Sequence, residues 1–540
     1  MKIAPFAPIT RRAAQPAPPE PPKRDLGPCH HWLSDRDEYL PTPRPEPGQW
    51  KALKHYEVVV VGGGIGGLNT AWRLQEQGHQ VAVFERTRHA GGRVRSKTIE
   101  NQKPLDLGAM RYIPSRHQRV RHLVEDVLQL PTRDFVVGGD NNLQYFRGQR
   151  LTNAEAAAHP EKRPFHLRPE EQGKSVDELL ALAIRSVVPN FEHLCDADWD
   201  RVLTETRLPF TDPATGQTSE VPLSQLGLRN ILSHSLSQEA QTLITESVGY
   251  NTFLANWDAG QALKELAADF RPGTSYKTPI AGMEAIPRGL LAKFREAGGE
   301  FNNLTTLRAV DYDPAQGFLL QFSKGDKIEH VVADKLVLNL PKRPLQDLLA
   351  NSPDLAPLQA KADKVTGNPM TRIFATYPRA WWKDEGIESG RSLTDLPLGQ
   401  VYYYGDESDK RPYVMVYSDG ADSQYWEGLQ NPSEPGVEKR LCVKPQLAQE
   451  LQRQMEELHG RDLPEPDGFL YKRWASEYTG GAYHTWNPGG KPWETSQQML
   501  QPLGDAPLFV VGEAYSTTQG WIEGALETSE EVLDKLGCKP

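Results

Sequence analysis

The stretch Gly62-Gly63-Gly64-Ile65-Gly66-Gly67 carries the spacing Gly-x-Gly-x-x-Gly at Gly62, Gly64 and Gly67. In that spacing the first glycine permits a tight turn and the second lets backbone approach a pyrophosphate. The third lets a helix pack closely on a strand. A helix starting there turns unpaired N–H groups and the positive end of its dipole toward the phosphates. Glu85 stands 18 residues beyond Gly67, where a carboxylate accepts hydrogen bonds from both hydroxyls of an adenosine ribose. It would repel a 2′-phosphate, which disfavours NADP. The chemistry indicated is dinucleotide binding.

The elements around this turn fit that role. Residues 56–61 (YEVVVV) end in four consecutive β-branched valines, the pattern of a strand buried on both faces of a parallel sheet. Residues 68–77 read as a helix with Leu68, Ala71, Trp72 and Leu74 inward and Gly78 as a stop. Residues 81–84 form a second strand ending at Glu85, which completes a βαβ unit. From roughly 115 to 270 the pattern is helical: Val120, Leu123, Val127 and Leu128, then Val176, Leu179, Leu180 and Ile184, fit a 3.6 period. Pro287 opens a helix that ends at Gly298-Gly299, and 336–340 (LVLNL) is another buried strand. The block 366–475 is β-rich, with short strands at 372–377, 400–404 and 413–417. A strand at 508–511 and a helix from about 522 to 536 end the chain. The dinucleotide-type elements therefore come from three separated stretches, with helical and β-rich insertions between them.

A chain of 540 residues holds two to three units of ordinary domain size. With 61 basic and 71 acidic residues its net charge is −10, which disfavours a general nucleic-acid binder. No apolar run reaches the roughly 18 residues that cross a bilayer. Cys29, Cys195, Cys442 and Cys538 are far apart with no Cys-x-x-Cys, so no zinc site, redox pair or disulfide scaffold is expected, and no other metal site. The first 50 residues hold 12 of the 44 prolines, including PAPPEPP at 16–22, which favours an extended, polyproline-like segment over 1–49. Arg11-Arg12 is not followed by the apolar region of an export signal, so a cytoplasmic protein is expected.

Further motifs follow in order: Ala90-Gly91-Gly92-Arg93-Val94, Gly108-Ala109-Met110-Arg111, Val511-Gly512-Glu513, and Gly520-Trp521-Ile522-Glu523-Gly524-Ala525. Together with the glycine turn they resemble the flavin amine oxidase superfamily, and within it the sequence is most similar to L-amino-acid oxidases. That resemblance implies a Rossmann-like FAD-binding domain of the glutathione-reductase type, an α/β fold, over 50–100, 276–345 and 490–540. It implies a β-rich substrate domain over 101–150 and 346–489 and a helical domain over 151–275. FAD would be contacted by Gly62, Gly64, Ile65, Gly66, Gly67, Glu85, Arg86, Gly92, Arg93, Gly108, Ala109, Met110, Arg111, Leu307, Trp474, Gly512, Glu513, Trp521 and Ile522. Arg93 would balance the pyrophosphate, and Glu513 would bind the ribityl chain. Monoamine oxidases attach the flavin through a cysteine where this chain has Ala482, so the FAD is expected to be non-covalent.

The resemblance also implies a substrate site. Arg111 would clamp the α-carboxylate of an L-amino acid, a task suited to a planar guanidinium. The segment 391–404 (RSLTDLPLGQVYYY) resembles the family strand whose tyrosine joins that clamp; the role is assigned to Tyr403, with Tyr402 as fallback. Gly520 and Trp521 would flank the substrate before the flavin; no side-chain base stands out, His484 beside the flavin stretch being a candidate whose structural reading is favoured. Arg372 stands where the family usually has a lysine linked to oxygen activation. The implied reaction is oxidative deamination by hydride transfer from Cα to flavin N5, yielding a 2-oxo acid, ammonia and hydrogen peroxide with dioxygen as acceptor. An L-amino-acid dehydrogenase, a decarboxylating 2-monooxygenase, an amine or polyamine oxidase, and a redox-inactive flavin-binding scaffold stay open. So do the preferred side chain and a homodimeric or larger assembly.

Overall fold

Four consecutive valines in one strand demand cover on both faces, and the architecture supplies it. Val58, Val59 and Val60 are fully buried in the strand Lys54–Val61, at the centre of a seven-stranded sheet. The computed structural model describes residues 44–98, 104–211, 214–250, 257–269, 274–405, 411–430, 443–474 and 479–538. The proline-rich run, Cys29 and Cys442 lie outside them; Cys195 is exposed and Cys538 buried.

In this first sheet Lys54–Val61 pairs in parallel with Val81–Phe84 and with the second half of Lys327–Leu338. Leu508–Val510 and Glu300–Asn302 extend the parallel part. The first half of Lys327–Leu338 turns back into an antiparallel meander with Gly317–Lys324 and Thr306–Asp313. Helices Ile65–Glu76, Ala285–Glu296 and Ile522–Lys535 pack together on one face through Leu68, Leu290, Phe294 and Val532.

The second seven-stranded sheet runs Gly468–Arg473, Met370–Thr376, Tyr413–Asp419, Gln400–Tyr404, Gly390–Thr394, Leu143–Phe146, Gln149–Thr152. Successive side chains point to opposite faces. Ile373, Val401, Tyr403, Val414 and Val416 pack beneath helix Pro445–His459. Phe374, Tyr402, Met415 and Tyr417 form the other face, with Trp474.

Helices Val176–Arg185, Leu228–Ser235, Gln238–Val248 and Ala259–Asp269 make a separate apolar core. The first is fixed by a capping box, Ser175 with Glu178. The stretch expected to be helical is not uniformly so. It also contains strands Thr132–Asp134, Leu143–Phe146 and Gln149–Thr152, and an exposed hairpin of Arg207–Thr211 and Thr218–Pro222. Among the described residues no helix is long and apolar enough to cross a membrane.

Candidate functional site

A cavity of about 1320 Å³ runs from the glycine turn, between the two sheets, to the helical core. At one end Gly62, Gly64, Ile65 and Gly66 line it. Gly62 has φ +103°, and a Cβ there would lie 2.4 Å from the Asn339 carbonyl oxygen. Gly67 stands outside the lining; a Cβ on it would fall 2.2 Å from the Gly62 carbonyl, so it serves helix–strand packing. The helix begins at Gly64 with no side-chain cap, which leaves its first N–H groups to a ligand. Glu85 lines the cavity beside Arg86, its two carboxylate oxygens accepting from the Gly63 and Thr87 amides at 2.7 Å.

Farther along, Gly92, Arg93 and Leu307 line the cavity, as do Gly512, Glu513 and Ile522. Arg93 forms an ion pair with Glu513 at 2.8 Å and donates to the Ala482 carbonyl. Glu513 also accepts from the backbone amides of His484 and Gly520. Burial opposes its charge, but the Arg93 guanidinium and the His484 ring hold its carboxyl well below the usual range. Burial pushes the His484 ring below its ordinary pKa, and its Nε2 is buried without a partner among the described residues. Trp474 lines the cavity and donates its indole N–H to the Leu107 carbonyl, holding the segment Gly108, Ala109, Met110 against it.

These features fit FAD. The glycine cradle has no room for a Cβ, the uncapped helix faces it, and the Glu85 carboxylate lines the same end of the cavity. The cavity continues past Trp474 and Glu513 to Trp521, long enough for a ring system beyond the pyrophosphate.

The far end is cationic and aromatic. Arg111 lies between the rings of Phe135 and Tyr276, 5.2 and 4.7 Å from their centroids, and donates Nη1 to the Tyr402 hydroxyl at 3.0 Å. Its Nε is buried without a partner among the described residues. Burial disfavours the guanidinium charge, but the phenols of Tyr402, Tyr250 and Tyr276 more than offset this. Burial likewise raises the Tyr402 phenol, yet the neighbouring guanidiniums of Arg111 and Arg391 bring it below its ordinary value. Trp521 lines the cavity next to Gly520 and rests on His117, ring centroids 4.5 Å apart. Burial, with Arg116 adding, depresses the His117 pKa to about 3, so its ring is neutral.

Tyr403 is not brought to this site. Its hydroxyl bonds to Ser392 and His459 on the opposite face of the second sheet, beneath Trp382. Strand alternation decides the matter: Tyr402 faces the cavity side, so its neighbour must face away. Tyr402 itself sits behind Arg111 and is only 1% exposed. Of the second sheet's central strands, the phenol that lines the cavity is Tyr417, with Tyr250, Tyr276, Tyr471 and Tyr483 lining it from elsewhere; Tyr417 stands opposite Gln400 and Arg372. Burial first, then Tyr250, keeps Tyr417 protonated, so it can donate. Neither Tyr417 nor Arg391 was singled out as a site residue from the sequence. The available signal was period-2 counting along paired strands, which requires the register. Arg372 lines the cavity, donates to the Asp106 carbonyl and lies over the Tyr417 ring at 4.9 Å.

A family model described as flavin containing amine oxidoreductase matches residues 65–532. Aplysianin-A from Aplysia kurodai is 24% identical over 521 residues, 88% of this chain and 89% of its own length. An L-amino-acid oxidase from Protobothrops flavoviridis is 24% identical over 507 residues, 92% of this chain and 91% of its own. Among solved structures, a double mutant of putrescine oxidase matches with a TM-score of 0.65, over 90% of this chain and 100% of that one. At 16% identity that match speaks for the fold alone.

Proposed function

We propose, from the premise that the chain belongs to the flavin-containing amine oxidoreductases and is an FAD-dependent oxidoreductase, that its substrate is an L-amino acid. The carrying observation is Arg111: a guanidinium on the cavity, braced by Tyr402, that forms no ion pair among the described residues. A half-buried guanidinium with no carboxylate partner among the described residues offers its charge to a substrate carboxylate. An amine substrate brings no such group. The L-amino-acid oxidase relatives support the same reading.

In this reading Arg111 takes the α-carboxylate through two parallel N–H···O bonds, and the Tyr417 hydroxyl adds one donor. Tyr402 holds the guanidinium plane, because its hydroxyl accepts from Arg111 while donating to Gln400 Oε1 at 3.1 Å. Trp521, propped on His117, walls the opposite side and keeps water away from Cα. FAD held in this cavity would supply the two-electron acceptor that oxidation at Cα requires. Arg93, neutralised by Glu513, and the amide of Gly520 position the site beside it. Ala482, on the cavity, has no nucleophile, so the cofactor is held without a covalent bond. The net reaction takes the L-amino acid, dioxygen and water to the 2-oxo acid, ammonia and hydrogen peroxide.

Product analysis tests this. Equal amounts of 2-oxo acid, ammonia and peroxide per oxygen consumed are expected. Carbon dioxide with an amide product would identify a monooxygenase instead. A 2-oxo acid formed only with an added electron acceptor would identify a dehydrogenase, the behaviour that Arg372 in place of lysine would explain.

A further inference from the structure

Arg111 is not the sole guanidinium at this end of the cavity. Arg372 and Arg391 line it as well. None of the three forms an ion pair with a carboxylate among the described residues. Arg372 is braced at the Trp474 side, on the Asp106 carbonyl and the Tyr417 ring. Arg391 stands opposite Tyr402 across paired strands.

Arg111 and Arg391 are joined by a hydrogen-bonded row. Arg111 Nη1 donates to the Tyr402 hydroxyl, which donates to Gln400 Oε1, which also accepts from Arg391 Nη1. The Gln400 amide cannot turn over freely, since its Nε2 donates to the Gly249 carbonyl. The row therefore presents acceptor oxygens to both arginines and cancels neither charge. Arg391 also reaches the Tyr402 phenol, so that phenol and the Gln400 amide stand between two guanidiniums that come from different strands and loops. Two fixed cations without a carboxylate partner among the described residues, on a cavity also lined by Val248, Tyr250 and Trp257, suit a ligand with two carboxylates.

We propose that the substrate is a dicarboxylic L-amino acid, with Arg111 holding the α-carboxylate and Arg391 the side-chain carboxylate. This rests on the reading of the site as one for L-amino acids and adds the side-chain class. A basic substrate would meet like charge, and an apolar one would leave the Arg391 charge without a carboxylate to balance it.

The test is anaerobic reduction of the FAD-loaded full chain by L-glutamate, L-aspartate, L-glutamine, L-asparagine, L-leucine and L-lysine. The acids are expected to reduce the flavin with an apparent second-order constant about tenfold or more above their amides. Leucine, lysine or the amides performing as well as the acids would overturn the dicarboxylate inference and leave the L-amino-acid reading standing. With the panel extended to the other standard amino acids, reduction by none of them would overturn both. In Arg391→Met the glutamate-to-glutamine ratio is expected to fall toward one, and Arg391→Lys should keep part of it. An unchanged ratio in FAD-loaded Arg391→Met contradicts the inference. Should that variant not retain FAD, the wild-type comparison decides alone.

Discussion

Replacing Arg111 with methionine removes the guanidinium and leaves a flexible apolar stem between Phe135 and Tyr276. The fold should tolerate this, because Tyr402 keeps its bond to Gln400 when it loses its donor. Removing one partner of a buried, hydrogen-bonded charge pair costs about 2–5 kcal/mol. Arg111 is half-buried, and Tyr417 still offers one donor on the cavity wall, so the lower part of that range applies. About 2–3.5 kcal/mol corresponds to roughly a 30- to 300-fold loss in kcat/KM. The loss should sit mainly in KM, because the clamp is made to the bound substrate as well as to the transition state. The assay is steady-state peroxide formation over a wide range of L-amino acid, with FAD content read from the visible absorbance. An FAD-loaded variant whose KM and kcat/KM stay within about threefold of wild type would refute a carboxylate clamp at Arg111.

Tyr403→Phe removes two buried hydrogen bonds, to Ser392 and His459. It should lower the apparent melting temperature by an amount reflecting about 1–3 kcal/mol. KM should stay unchanged, and a large rise would return Tyr403 to the site. Gly62→Ala places a Cβ against the Asn339 carbonyl at φ +103°. The ratio of flavin to protein absorbance after purification should therefore drop steeply. Asp258 accepts from the Gln261 amide through Oδ1, while its buried Oδ2 has no partner among the described residues. Burial raises its pKa from 3.8 to about 7, so the folded protein retains a proton that the unfolded chain releases. That contribution is complete below pH 4 and is lost as pH rises through 7, worth up to about 4 kcal/mol. Melting temperature should fall from pH 5 to 8 in the wild type and fall less in Asp258→Asn; parallel profiles would exclude this carboxyl as the cause.

What could be read from the amino-acid order was local. The glycine turn, its strand, its helix and Glu85 lie within one βαβ unit, where each residue's task follows from near neighbours. The final helix is legible for the same reason, its apolar face repeating at helical spacing over Ile522–Lys535. The choice among Tyr402, Tyr403 and Tyr404 is different. All three suit a strand, and which one faces the cavity depends on the register with Gly390–Thr394 and Tyr413–Asp419. Tyr417 and Arg391 became site residues only through that same register. The pairing of Arg93 with Glu513 spans 420 residues of chain, beyond the reach of any spacing rule. The strands between 132 and 152 are too short to carry a period of their own, and their partners stand near 277 and 393.

The central claim is that this site binds a carboxylate next to the carbon it oxidises. The most direct measurement mixes the FAD-loaded protein anaerobically with each L-amino acid and, separately, with the amine that its decarboxylation would give, while flavin absorbance is followed. Bleaching by L-amino acids with none by the matched amines is the expected result. Bleaching by amines with none by any L-amino acid would contradict the claim.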